Sequence, residues 1–342
     1  MSVAKKSLFQ LQDLILTIYI PPQLRLVKDG KDDNPERKTF LKRVNIDNPH
    51  APITVYNDVD DEPCPPIKKH FKFVGSLYYH PTVVPPDPSL YVGCSCPGGV
   101  CVENECECAV PGQGFSYLEG GILQYSGDEV YECNDNCACG SNCPNRVVQR
   151  GRQVRLQIFK TAKKGWGLRS PEFIQAGQFV IAYYGELITL ASAEDRSFVY
   201  ENLSRGSMSY VMDLDFFFDS EDDEGGADSL PPPEKKHSID ATTYGNVARF
   251  ANHSCDPNLV IVSVFKSKNV TNLYDAAFFA VKDIEPLTEL TFDYIAGNSM
   301  EDEEGGRAGG GAGGEGVSRS ALQLQECFCG AERCRGKVWL KK

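Results

Sequence analysis

The run Arg249-Phe250-Ala251-Asn252-His253-Ser254-Cys255 places an amide, an imidazole, a hydroxyl and a thiol on consecutive residues after an aromatic. Four neighbouring polar groups either face water in a turn or need one partner each. Upstream, Lys164-Gly165-Trp166-Gly167 offers a glycine-flanked turn whose backbone can approach a ligand closely. No βαβ pattern follows it, so it is not a dinucleotide pyrophosphate loop. Downstream, Glu289-Leu290-Thr291-Phe292-Asp293-Tyr294 ends an apolar run on a phenol.

Thirteen of the fourteen cysteines stand in two groups around this centre. Nine lie in one stretch: Cys94, Cys96, Cys101, Cys106, Cys108, Cys133, Cys137, Cys139 and Cys143. Nine is odd, so disulfides alone cannot satisfy them, and no secretory signal implies an oxidising compartment. Thiolate-rich spacing of this kind reads as zinc. Ordinary four-ligand sites would strand one thiolate. Three tetrahedral zincs need about twelve bonds, which six terminal and three bridging thiolates supply. Such a cluster carries net negative charge, and Arg146, Arg150, Arg152 and Arg155 follow it as candidate counter-ions. Cys327, Cys329 and Cys334 form a second group that lacks a fourth ligand, and Cys64 matches no motif.

Together these motifs resemble the SET-domain protein lysine methyltransferases, and more narrowly the histone H3 lysine 9 class with pre-SET and post-SET zinc modules. The resemblance covers about residues 50–342. It implies a mainly β fold, the SET β-clip with knot-like threading, flanked by a triangular three-zinc module and a small one-zinc module. It implies S-adenosylmethionine as methyl donor and the histone H3 tail as partner in the nucleus. Sequence-specific DNA binding and membrane contact are not expected, and recruitment factors are unknown.

By resemblance, cofactor-binding residues are Lys164, Gly165, Trp166, Gly167, Tyr210, Arg249, Asn252, His253, Phe328 and Trp339. His253 positions and does not abstract a proton. Tyr294, Tyr210 and Phe292 are the catalytic set, with Phe292 setting how many methyls are added. Cys255 supplies the missing fourth zinc ligand beside Cys327, Cys329 and Cys334, an assignment that the count of thiols also supports. Two other readings of the same residues are a SET enzyme for a different lysine and an inactive zinc scaffold that binds chromatin partners.

The elements that must position these groups read as short β runs with glycine turns: Val154 to Phe159, Phe179 to Tyr184, Ser209 to Phe218, Val260 to Phe265, Asp275 to Val281 and Glu289 to Tyr294. Their spacing predicts a mainly antiparallel fold. Ile53 to Tyr56 adds a strand ahead of the cysteines. The expected organisation is an extension without motif over 1–50, with Lys28 to Arg37 as a loop, and a strand-containing lead-in over 51–93. A pre-SET module over 94–150 and a SET domain over 151–296 follow. A glycine-rich linker over 297–326 then leads to a post-SET module over 327–342. An acidic insertion at about 219–236 and the stretch 297–320 read as low-complexity loops.

Composition bounds the rest. Hydrophobic residues make up 41% of the 342, enough for a sizeable core. The formal net charge of −12 sits largely in two acidic runs, 219–228 and 301–304. No apolar run is long enough to span a membrane, and Leu14 to Ile20 lacks the cleavage site of a signal peptide. No strong basic patch is visible along the sequence. Lys68-Lys69-His70-Phe71-Lys72 reads as a solvated face.

Overall fold

The computed structural model describes residues 34–46, 48, 50–102, 105–109, 114–124, 129–203, 210–214, 236–268, 273–294 and 322–341. The first element is helix α1 (Pro35–Val44). The Asn34 side chain accepts from the amides of Glu36 and Arg37, and proline stands in the first turn, where its missing N–H costs nothing. Phe40 and Val44, one helical turn apart, bury into the main core. The loop expected over Lys28 to Arg37 therefore gives way to helix at Pro35, and Phe40 and Val44 of that helix are part of the core. The Asn-Pro pair is the sequence signal for that start.

Three sheets carry the fold. The first orders β1 (Ile53–Tyr56), β7 (Leu156–Lys160) and β8 (Trp166–Arg169), with β1 parallel and β8 antiparallel to β7. The second runs β6 (Glu129–Tyr131), β14 (Leu259–Phe265), β15 (Asp275–Ala280) and β9 (Phe179–Ala182). The third runs β11 (Val211–Asp213), β12 (His237–Gly245), β10 (Gly185–Thr189) and β3 (Tyr78–Tyr79), with β2 (Lys72–Phe73) also pairing with β12. Helix α2 (Leu190–Leu203) follows β10. Three two-stranded pieces complete the described elements: β4 (Tyr117–Leu118) with β5 (Ile122–Leu123), β13 (Asn252–His253) with β16 (Thr291–Phe292), and β17 (Leu322–Glu326) with β18 (Lys337–Lys341).

The mainly β expectation holds. Each expected strand is present: β14 begins one residue earlier than expected, β1 matches, the others are shorter, and β12 and α2 are among the additions. The region expected as strand over Ser209 to Phe218 contains β11, and residues 215–218 lie outside the described residues, as does all but Lys236 of the acidic insertion and all of 297–320. Five of the twelve strand pairings are parallel. Four of these pair a strand from residues 53–131 with a strand from residues 156–265. One of them, β6 beside β14, joins the cysteine-rich module to the central sheet. Both β15 and β9, the end strand of the second sheet among the described residues, are buried along their whole length.

Helix α2 also satisfies a buried charge. Asp240 on β12 is 1% exposed, and it accepts from Arg196 at 2.9 Å and from the Tyr200 hydroxyl at 2.8 Å, both on α2. An unpaired carboxylate there would be strongly destabilising, so the helix locks β12 in register. No helix among the described residues is long and apolar enough to cross a membrane.

Candidate active site and zinc centres

The amide, imidazole, hydroxyl and thiol of the heptapeptide each find a partner, while the buried Arg249 Nε has none among the described residues. Asn252 and His253 form β13, parallel to Thr291 and Phe292 of β16, the side-by-side arrangement that threading through a neighbouring loop requires. The Asn252 amide donates to Glu289 Oε1 at 2.9 Å and to the Trp166 carbonyl at 3.3 Å. Glu289 also takes the Lys164 ammonium at 2.6 Å. One carboxylate thus ties the glycine turn to the heptapeptide. Gly165 has φ +70°, a left-handed conformation that favours glycine, and a Cβ on Gly167 would meet three side-chain atoms at 3.0 Å. The two glycines therefore do different work: the first sets the turn, the second lets Glu289 close over it.

His253 accepts from the Tyr294 amide through Nδ1 at 3.2 Å. Its Nε2 lies 3.4 Å from the Cys255 sulfur and 3.3 Å from the Arg335 guanidinium. Burial pushes the imidazole pKa down to about 4, so it is neutral at pH 7.

Four aromatic groups and one cation converge behind this segment. The Tyr294 hydroxyl donates to the Ala251 carbonyl at 2.9 Å, and the Tyr183 hydroxyl to the Tyr210 carbonyl at 2.9 Å. Burial raises both phenols well above the usual range, so both stay protonated. Each hydroxyl hydrogen is spent on main chain, which leaves the oxygen lone pairs to accept. Arg249 lays its guanidinium 3.6 Å from the centre of the Tyr210 ring and 5.0 Å from that of Phe71. Phe292 is buried, 4.7 Å from the Tyr294 ring and 4.8 Å from Phe278. Strand β16 ends at Phe292, yet the two rings still lie together.

Sequence reasoning passed over Tyr183, Glu289 and Arg335. Tyr183 stands in Tyr183-Tyr184-Gly185-Glu186, where a buried tyrosine reads as core. Glu289 opens an apolar run, and a charge at that place was the available signal.

All nine pre-SET cysteines are buried. Their sulfurs approach at 3.6 Å (Cys94 to Cys101), 3.8 Å (Cys101 to Cys133), 3.5 Å (Cys108 to Cys137) and 3.8 Å (Cys133 to Cys143). A disulfide bond is about 2.05 Å long. Two thiolates on one tetrahedral zinc, with bonds of about 2.3 Å, lie about 3.8 Å apart. The sulfur sets that could hold an ion overlap: Cys94, Cys106, Cys108 and Cys133; Cys94, Cys101, Cys133 and Cys139; Cys94, Cys96, Cys101 and Cys106. The sets share Cys94, Cys101, Cys106 and Cys133, the overlap that bridging thiolates in one cluster would produce. Among the described residues, the buried cluster that holds these nine cysteines adds only Ala109 and Phe115. The core of that cluster is therefore the candidate metal site.

The counter-ion expectation is half met. Arg146 is buried and reaches Cys139 Sγ at 3.6 Å, and Arg150 donates to the Cys143 carbonyl at 3.2 Å. Arg152 instead bonds the Val154 carbonyl, and Arg155 pairs with Glu172 at 2.8 Å. The chain turns away from the cluster at Gly151, φ +77°, which carries both side chains out of reach.

Cys255, Cys327, Cys329 and Cys334 bring four sulfurs within 4.8 Å of one another, a tetrad suited to one closed zinc site. The tetrad connects to the centre twice. Arg335 donates its amide to Cys255 Sγ at 3.4 Å and its guanidinium to Asp293 at 2.6 Å. Phe328, 41% exposed, stands 5.3 Å from the Lys163 ammonium beside the glycine turn. Trp339 pairs with Leu324 through its backbone in β18, and its side chain lies outside the described residues. Cys64 packs half-buried against the main core, apart from both sets.

Elemental analysis of the purified protein should return four zincs per chain, and chelation should unfold the pre-SET module first, because structural zinc affinity is folding free energy. One or two zincs with disulfides found by alkylation would contradict both site designs.

A SET domain profile matches residues 165–295 and a Pre-SET motif profile matches residues 45–146. The chain is 39% identical over 315 residues to the H3 lysine-9 specific histone-lysine N-methyltransferase of Schizosaccharomyces pombe, covering 89% of this chain and 58% of that protein. It is 35% identical over 342 residues to the H3 lysine-9 specific dim-5 enzyme of Neurospora crassa, covering 91% of this chain and 96% of that one. Its fold matches the solved structure of KRYPTONITE with mCHH DNA, H3(1-15) peptide and SAH, at TM-score 0.60 and 32% identity over 84% of this chain and 50% of that one. Zinc-suited cysteine sets, a SET core and this degree of identity agree: the chain belongs to the SET-domain histone-lysine N-methyltransferases of the H3 lysine-9 class that carry a pre-SET motif.

Proposed function

We propose that the protein transfers methyl groups to lysine 9 of histone H3, at chromatin in the nucleus, up to the trimethyl state. The observation that carries this reading is the convergence of Tyr294, Tyr183, Tyr210 and Arg249 behind the Asn252-His253 strand, in a chain related to enzymes of that specificity. When bound, S-adenosylmethionine supplies a methyl on a sulfonium, which passes to a lysine amine. Lys164, Gly165, Trp166, Gly167, Asn252 and His253 are the residues proposed to hold it, with Arg249 for its carboxylate and Phe328 and Trp339 covering it.

A free lysine has pKa about 10.4, so about one amine in 2,500 is neutral at pH 7, a deficit of about 4.6 kcal/mol. Burial among aromatic rings lowers an ammonium pKa and supplies part of that deficit. The chain offers no strong base here: His253 is neutral with Nδ1 already occupied, and the phenols stay protonated. The tyrosine oxygens instead accept from amine N–H groups and hold the lone pair on line, so catalysis comes from orientation and electrostatics. Among the described residues β11 ends its sheet, and that edge suits a peptide added as an extra strand. Radiolabelled transfer across a series of histone-tail peptides tests the assignment. Label on the H3 peptide alone supports it, and label only on another tail overturns it.

Phe292 sets the end product in this reading. A tyrosine at that position could hydrogen-bond the amine and resist the rotation that a methylated lysine needs before the next transfer. Such a bond is worth about 1 kcal/mol, a factor of roughly five in relative rate. Phe292→Tyr should keep the first transfer and stall at mono- or dimethyl-lysine, read by mass spectrometry over a time course. A variant that trimethylates at the wild-type rate would remove Phe292 from this role.

A further inference from the structure

The fold builds a basic face that neither contributing segment shows alone. Residues 35–44 carry Arg37, Lys38, Lys42 and Arg43 against one acid, Glu36. Residues 63–86 carry Lys68, Lys69 and Lys72 and no acid. The structure docks the two segments together. Arg37 Nε donates to the Pro63 carbonyl at 2.6 Å, Arg43 donates to the Phe71 carbonyl, and Phe40 meets Phe73 edge-on at 5.8 Å. The joined surface has seven lysines and arginines to one acid, a formal charge of +6 in a chain of net −12.

Its cations point outward. A turn closed by the Phe71 amide on the Lys68 carbonyl, 2.9 Å, presents Lys68, Lys69 and His70, all exposed. Lys38, Lys42 and Lys72 are exposed as well. Lys42, Lys68, Lys69 and Lys72 make no ion pair among the described residues. The neighbouring acidic turn is partly engaged elsewhere, with Asp60 and Glu62 both on Lys160. Aromatic rings interleave with the charge. Tyr78 stacks on Tyr244 at 4.0 Å and 5°, Lys72 lies 5.2 Å from the centre of the Tyr244 ring, and Tyr78 stays 41% exposed.

We propose that this face binds the phosphate backbone of duplex nucleic acid, without sequence preference. Clustered, exposed lysines are the chemistry that displaces counterions from phosphates, and an exposed tyrosine face beside them accepts a sugar or a base. The acidity of the whole chain does not prevent it. At about 0.15 M salt charges are screened beyond about 8 Å, so a polyanion responds to the charges near this face and not to the net charge of the chain. The same segment leads on to the centre: Phe71, between His70 and Lys72, carries Arg249 on its ring. Duplex held here lies one residue from the support of Arg249.

The test is fluorescence anisotropy with 30-base-pair DNA duplexes of two unrelated sequences, titrated from 50 to 200 mM salt. The wild type should bind both equally. K42A/K68A/K69A should melt at the wild-type temperature and show a log affinity against log salt slope shallower by about 2.7, about 0.9 per lost phosphate contact. A matching loss on an RNA duplex supports the backbone reading. Absence of wild-type binding at 50 mM, or an unchanged slope in the variant, overturns it. So does a variant that loses only polyglutamate binding, since the face would then serve an acidic protein. One further arm rests on the proposed methyl transfer: the variant should act on free H3 peptide at the wild-type rate and on nucleosomes more slowly. The binding arm stands whether or not methyl transfer is found.

Discussion

Cys255→Ser is expected to lower methyl transfer by at least about a hundredfold while the three sheets stay folded. Loss of groups one shell outside a metal already costs about 10- to 100-fold, and here a direct ligand goes. The consequence travels because Cys255 belongs to the same seven residues as Asn252 and His253. Its sulfur takes the Arg335 amide, and Arg335 holds Asp293, the neighbour of Tyr294. Without the tetrad, residues 327–336 lose their anchor, and Phe328 leaves the glycine turn. Bound zinc should fall from four per chain to three, and deletion of 327–342 should reproduce the loss of activity. The sheets have their own core, in which Leu156, Ile158, Leu187, Ile239 and Phe278 are fully buried, so circular dichroism should still report the native β signal. Near-normal turnover in a folded variant with three zincs would show that the post-SET site does not shape the centre.

Tyr294→Phe is expected to lower turnover by about 10²- to 10³-fold, the usual cost of one preorganised polar group at a reacting centre. It removes an oxygen whose hydrogen is held by the Ala251 carbonyl and whose lone pairs are left to accept from an amine. The ring should stay in place, since Phe292 and His253 pack it from two sides. The Ala251 carbonyl loses a donor, which costs about 1 kcal/mol, or roughly 2–4 °C in melting temperature for a domain of this size. A small thermal shift with a large fall in turnover, and little change in cofactor affinity measured by calorimetry, is the signature of an orienting group. Full activity would take Tyr294 off the catalytic list. A fall in cofactor affinity alone would make it a binding residue.

What the sequence made legible was chemistry carried by neighbouring residues. Cysteine spacing exposed both zinc sets because each ligand is its own signal, and simple counting separated nine from four. The heptapeptide stood out because four consecutive polar groups need partners. What stayed hidden depends on segments meeting in space. Glu289 ties Lys164 to Asn252 across more than a hundred residues of chain, and no local pattern announces that. Tyr183 reads as core because burial is also what holds its phenol protonated. Helix α2 has weak apolar periodicity, and its task is to neutralise Asp240, which itself reads as an exposed charge. Arg335 follows the last cysteine and looks like surface until Asp293 is placed beside it. The basic face is the plainest case: α1 and the 68–72 turn are each modestly charged, and only the Arg37, Phe40 and Arg43 contacts make them one surface.

The central claim, an orienting tyrosine centre that methylates one lysine of the H3 tail, is tested most directly by tandem mass spectrometry of an H3(1-20) peptide after incubation with the zinc-loaded enzyme and excess S-adenosylmethionine. The account predicts mono-, di- and then trimethyl-lysine at position 9, no methyl on other lysines, and no product when position 9 is alanine. A wild-type enzyme that binds S-adenosylmethionine yet leaves lysine 9 unmodified, or methylates the alanine-substituted peptide equally well, would contradict it.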